Sequence, residues 1–144
     1  MIKRTVNASF LGDLSYVSQF DDALDTAHAD FDHAQYKLTR DEKHIPLKDG
    51  AKPARFLLKP LSLADREELE ALSGGERFAM ACRMALKSCS GFTFVDGDGR
   101  EVEVKIQLEH GRVTRETLDY LGHHLTQEIG QVACAHAALS ERFS

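Results

Sequence analysis

The chain has 144 residues, 42% of them hydrophobic and 28% charged, with a formal net charge of -5 and a pI near 5.8. That length suits one domain burying roughly two thirds of its unfolded surface, and the composition lies outside the disordered range. The acidic balance argues against a protein whose main task is neutralising nucleic-acid phosphates.

After Met1, Ile2, Lys3 and Arg4, polar residues Asn7, Ser9 and Asp13 together with Gly12 interrupt the apolar stretch a signal peptide requires. Neither a secretory signal nor a membrane span is expected. Leu14, Val17, Leu24, Ala27 and Phe31 recur at helical spacing, which predicts a helix over residues 13–33 with Asp21, Asp22, Asp25, Asp30 and Asp32 on its polar side. With Phe20 and Phe31 nearby, that segment fits one that docks on a neighbouring subunit. Residues 35–53 carry weak patterning, with turn chemistry at Pro46 and Lys48-Asp49-Gly50, and are expected to form a linker or exposed arm.

Phe56-Leu57-Leu58, bounded by Pro53 and Pro60, predicts a short strand. Ser62 and Asp65 resemble a capping box opening a short helix, Ser73-Gly74-Gly75 ends it, and residues 76–88 form a second helix with Phe78, Ala81, Cys82 and Ala85 on its apolar side. Residues 92–95 and 101–104 flank Asp96-Gly97-Asp98-Gly99-Arg100 and predict a β-hairpin. Thr114 caps a further helix, Gly122 interrupts it, and Leu125, Ile129, Val132, Ala133, His136 and Leu139 mark a last one.

No constellation in this chain specifies a catalytic, cofactor or metal site. Asp96 and Asp98 open like a calcium loop, but Val102, Val104 and Gln107 fall where oxygen donors and a bidentate Glu are needed, so the acids belong to a tight turn. Cys82 lies on an apolar helix side and Cys134 among alanines, environments that make a thiol inert; with Cys89 they form no C-x-x-C pair. His124 and Glu128, one helical turn apart and next to His123, support an alternative reading as a metal-dependent enzyme or regulator. A DNA-binding regulator is a further alternative, and the net acidity weighs against it.

These elements amount to an α+β fold: an antiparallel β-hairpin and a short strand packed with about four helices, preceded by a helical N-terminal region. The expected division is an N-terminal helix and arm over residues 1–52 and an interaction domain over 53–144. From Phe56 onward the layout resembles the small tail assembly chaperones of long-tailed bacteriophages and related phage morphogenesis proteins. The resemblance is carried by Phe56-Leu57-Leu58-Lys59-Pro60-Leu61, the Arg66-Glu67-Glu68-Leu69 helix, the segment from Gly91 to Val102 and the helix containing Leu125-Thr126-Gln127-Glu128-Ile129.

That resemblance implies a non-enzymatic bacteriophage structural or assembly protein without cofactor. It would bind other phage tail or capsid proteins, as a homo- or hetero-oligomer, in the host cytoplasm during assembly or in the virion. Residues through Gly50 lie outside the family layout and suit an arm that grips neighbours. The side chains expected to meet partners are Leu14, Val17, Phe20, Leu24, Phe31, Phe56 and Leu58. Polar groups are expected to serve solubility and capping, leaving apolar surface to do the binding.

Overall fold

A computed structural model of the chain describes residues 4–6, 12–139 and 141–143. The fold is α+β, with small antiparallel sheets and five α-helices among the described residues. Near the ends of the chain, β1 (Arg4–Val6) pairs antiparallel with β9 (Glu141–Phe143).

The central sheet has the order β2-β3-β4, formed by Leu14–Tyr16, Arg55–Leu58 and Leu86–Ser90. Leu14 faces Leu58 and Tyr16 faces Phe56, so the alternating residues of β2 and β3 share one buried face. The strand expected at residues 56–58 is β3.

The helix expected over residues 13–33 does not form. Leu14-Ser15-Tyr16 alternates with period two and joins the sheet, and Asp21 and Asp32 beyond it use their carboxylates to bind backbone N–H groups. Asp21 accepts N–H bonds from Ala23 at 2.9 Å and Ala54 at 2.7 Å, while Asp32 accepts from Gln35 at 3.1 Å and caps α1 (His33–Thr39). Aspartate competes in this way with helical backbone bonding, which is why a correctly spaced apolar stripe failed to make a helix.

Residues 35–53 are not an extended arm. Pairing of Leu24 with Leu47, and backbone bonds from Asp25 to Pro46 O (2.8 Å) and from Lys48 to Ala23 O (2.9 Å), fold the segment back on itself through the 3-10 turn Glu42–His44. Tyr36 and Ile45 are buried in the same apolar core as Phe56, Leu58 and Ile129, so the core runs continuously across the division drawn between residues 52 and 53.

In α2 (Leu63–Glu70) the capping box forms as its residues predict, Ser62 Oγ accepting from Asp65 N at 3.0 Å and Asp65 Oδ2 from Ser62 N at 3.2 Å. Gly74, at φ +55°, starts α3 (Gly74–Ala85), which passes into β4 without a loop. The last three residues expected to be helical, 86–88, are therefore strand: Leu86 turns to an extended φ and ψ of -71° and 122° and pairs with Leu58.

The expected hairpin is β5 (Thr93–Val95) with β6 (Glu101–Glu103), and Asp96 Oδ1 holds its turn by accepting from Asp98 N at 2.9 Å and Arg100 N at 3.0 Å. A second hairpin, β7 (Leu108–Glu109) with β8 (Arg112–Val113), has no counterpart in the sequence expectations; His110 and Gly111 take φ of 54° and 77°, as a type I′ turn requires. Thr114 caps α4 (Arg115–Leu121), Gly122 breaks it, and α5 (His123–Leu139) follows.

The closest helix packing is that of α3 on α5. Small residues line it: Ala81, Cys82 and Ala85 from α3, Ala133 and Ala137 from α5, all buried. At Gly130 the helices come so near that a Cβ would stand 1.9 Å from Phe78 O.

Candidate functional site

Two neighbouring features meet at the start of α5: a buried polar network around Glu128 and a cleft with aromatic walls. Glu128 lies on the inward side of α5, next to Ile129 and Val132, and is 5% exposed. Its carboxylate accepts from the Tyr16 hydroxyl, from Ser18 Oγ at 2.6 Å and from the Gln19 N–H at 2.9 Å. Both oxygens are thus committed to the residues at the end of β2, as a buried carboxylate requires.

The network extends through aromatic packing. The Tyr16 ring stacks on Tyr36 at a centroid distance of 5.9 Å and meets His33 edge-on at the same distance. Tyr36 Oη accepts from Val17 N at 3.1 Å and donates to Ser15 O at 3.3 Å. His33 donates from Nε2 to Val17 O at 2.9 Å. Further along α5, His136 donates from Nε2 to Gly12 O at 3.4 Å and receives an Arg40 N–H at Nδ1, 3.5 Å away.

Burial governs the ionisation of these groups. It raises the Tyr16 phenol, with the charge and hydrogen bond of Glu128 adding to the effect, and it also raises Tyr36. Burial lowers both His33 and His136, whose backbone acceptors only partly offset it. The unfolded chain therefore binds protons that the folded one resists. The contribution of these imidazoles to stability is complete above their ordinary pKa of about 6.5 and is lost as pH falls through that value toward the lower folded pKa. Urea denaturation is expected to give a lower midpoint at pH 5.5 than at pH 7.5, and the variant carrying His33→Gln and His136→Gln should flatten that slope.

The sequence expectation of polar groups serving only solubility and capping is corrected here. Tyr16, Ser18, His33, Tyr36, Glu128 and His136 lie inside the molecule and bond to one another or to backbone. The pairing of Glu128 with His124 also takes another form, since Glu128 is committed inward while exposed His124 packs against Phe20 and His123, at centroid distances of 6.4 and 5.6 Å. Among the described residues no group of three His, Cys, Asp or Glu side chains is placed to hold a metal ion.

The cleft has a volume of about 260 Å³ and is lined by Ser18, Phe20, Lys52, Phe56, Phe92 and Leu125 among others. Phe56 and Phe92 pack together with centroids 5.7 Å apart, and Phe20 stands on the rim, 61% exposed. Ser18 belongs to both features: its hydroxyl donates to Glu128 and accepts from Phe20 N at 3.1 Å. The buried network therefore fixes the backbone that presents Phe20.

Of the side chains expected to meet partners, Leu14, Val17, Leu24, Phe56 and Leu58 are 0–6% exposed and form the chain's own core. Phe31 is half-buried against that core. Their assignment as contact residues gives way to a packing role, while Phe20 is left open to solvent. The sequence reading passed over Ser18, Lys52, Phe92 and Thr93 as lining residues; the one usable signal was the alternation of Leu14, Ser15 and Tyr16 that places Tyr16 inward at the end of β2.

All three thiols are free. Burial pushes Cys82 up to about 12 and also raises Cys89 and Cys134, consistent with the inert role read from their neighbours. Among the described residues no helix is long and apolar enough to cross a membrane. In comparisons with known proteins, no family model, no curated protein sequence and no solved structure matches this chain.

Proposed function

We propose that this chain is a non-enzymatic bacteriophage structural or assembly protein that works by binding other proteins, and that the cleft beside Phe20 seats an apolar side chain of its partner. The observation that carries the binding role is the exposed Phe20 ring lining the same cleft as the Phe56–Phe92 pair, its backbone held by Ser18 and Glu128. A large aromatic on the rim of an apolar cleft is the arrangement found at the energetic centre of protein interfaces. The phage assignment rests on the sequence layout from Phe56 onward. The partner is accordingly a co-encoded tail or capsid protein.

Lys52 together with Asp21 and Asp22 in the cleft lining supplies charges of both signs, suiting a polar rim around the apolar seat. The buried ionisable groups support a binding role by what they are used for: their hydrogen bonds hold β2, α1 and α5 in place.

The test is capture of co-encoded tail and capsid proteins by the purified chain, with Phe20→Asp as the variant. Because Phe20 is exposed, the substitution should leave the melting temperature unchanged while reducing capture about tenfold or more. Equal capture by the variant, or no capture by the parent chain, counts against the proposal.

A further inference from the structure

The β5–β6 ribbon presents a second surface, separate from the Phe20 cleft. Val104 N donates to Phe92 O at 2.8 Å, Asp96 N donates to Arg100 O at 2.9 Å, and the register sets Phe94 opposite Val102. In an antiparallel ladder, hydrogen-bonded pairs alternate with non-hydrogen-bonded ones. Phe94 and Val102 are therefore a bonded pair, and the backbone N–H and C=O groups of Glu101 and Glu103 point away from β5. Residues 101–103 are all exposed, and among the described residues this sheet has two strands.

The two faces of the ribbon differ in chemistry. Phe94 and Val102 share one face, where the Phe94 ring lies 4.9 Å from that of Tyr120; Val102 is 38% and Tyr120 46% exposed. Glu101 and Glu103 project from the other face, next to the free edge. An open edge with one apolar face is a template for strand addition, and a two-stranded ribbon gains stability from a third strand.

We propose that the outer edge of β6 accepts, by strand addition, an extended segment of another protein in which an apolar residue is flanked by two basic ones. The basic side chains stand opposite Glu101 and Glu103, and the apolar one lies beside Val102 on the face shared with Phe94 and Tyr120. Opposite charges directly across a strand pair stabilise it, whereas like charges destabilise it. Pairing of β6 with β6 of a second copy would set carboxylate against carboxylate, so charge selects a different chain. Arg100 and Lys105 bound the acidic edge at its ends, which matches a basic pair two residues apart rather than a long polybasic run.

The probe is a synthetic peptide with the core Arg-Val-Arg, titrated into the full chain and followed by backbone amide NMR. The expected result is a shift of the Glu101 and Glu103 amides and slowed exchange of their protons. Glu103→Pro removes an outward N–H without touching the ladder to β5, as edge prolines do. It should weaken binding about tenfold or more while the Phe94–Val102 cross-strand contact persists. The double variant E101K/E103K should lose the Arg-Val-Arg peptide and gain binding to a Glu-Val-Glu one. Unchanged edge amides at saturating peptide, equal binding of the acidic peptide by the parent chain, or undiminished binding by both variants would overturn the proposal. Protection of these amides that grows with protein concentration in the absence of peptide would also overturn it, by assigning the edge to a second copy.

Discussion

Replacing Gly130 with alanine is expected to destabilise the protein by about 3 kcal/mol, the upper part of the usual cost of overpacking, and to lower the melting temperature by about 10 °C. An added Cβ meets Phe78 O at 1.9 Å, Phe78 C at 2.5 Å and Phe78 Cα at 2.8 Å. These are backbone atoms of a helix, so no side-chain rotation relieves the clash, and α3 and α5 must move apart. Separation would in turn open gaps around Ala81, Cys82 and Ala133, which are buried because the helices approach so closely. Helix propensity favours alanine over glycine by about 1 kcal/mol, so a loss despite this gain isolates the steric term. Gly75→Ala serves as the control of opposite sign: it lies in α3, and its Cβ would meet only the flexible Gln127 side chain at 3.5 Å. Thermal and urea unfolding of the two variants should move in opposite directions; a neutral Gly130→Ala would show that the close crossing is absent in solution.

Glu128→Ala should cost on the order of 3–5 kcal/mol, as breaking buried charged networks does. Removal of the carboxylate leaves the buried Tyr16 and Ser18 hydroxyls and the part-buried Gln19 N–H without their acceptor. The conservative variant separates this loss from a merely spatial one. In Glu128→Gln the amide oxygen can take the place of Oε2 and accept from Tyr16 and Gln19, while the amide N–H donates to Ser18, whose hydroxyl has a second lone pair for Phe20 N. That variant should lose only about 1 kcal/mol. Equal denaturation midpoints for the alanine and glutamine variants would show that the hydrogen bonds are not what holds this end of the sheet.

The parts of the fold legible in the sequence are those whose signals are local. Ser62 with Asp65, Thr114, Gly122 and the Gly-rich turn after Val95 act within a few residues, and each appears in the structure where its chemistry places it. What could not be read depends on contacts made far along the chain. Leu14, Val17 and Leu24 sit at helical spacing, yet Leu14 is held by Leu58 across the sheet and Leu24 by Leu47. The same limit hid the site. Ser18 and Glu128 are separated by 110 residues, so nothing in the neighbourhood of either marks the other as its partner. Glu128 in particular lies between Gln127 and Ile129 on a helix whose local pattern paired it with His124, and only the arrival of β2 explains its orientation.

The direct passage from α3 into β4 removes the slack that a loop would provide. Ala85 O, at the end of the helix, accepts from Lys59 N at 2.8 Å, and the next residue, Leu86, already pairs with Leu58. A displacement of α3 is therefore transmitted to the sheet edge instead of being absorbed by a hinge. Helix and strand open together or not at all, and any load that α5 places on the Gly130 crossing is felt by β3 through a single stiff lever.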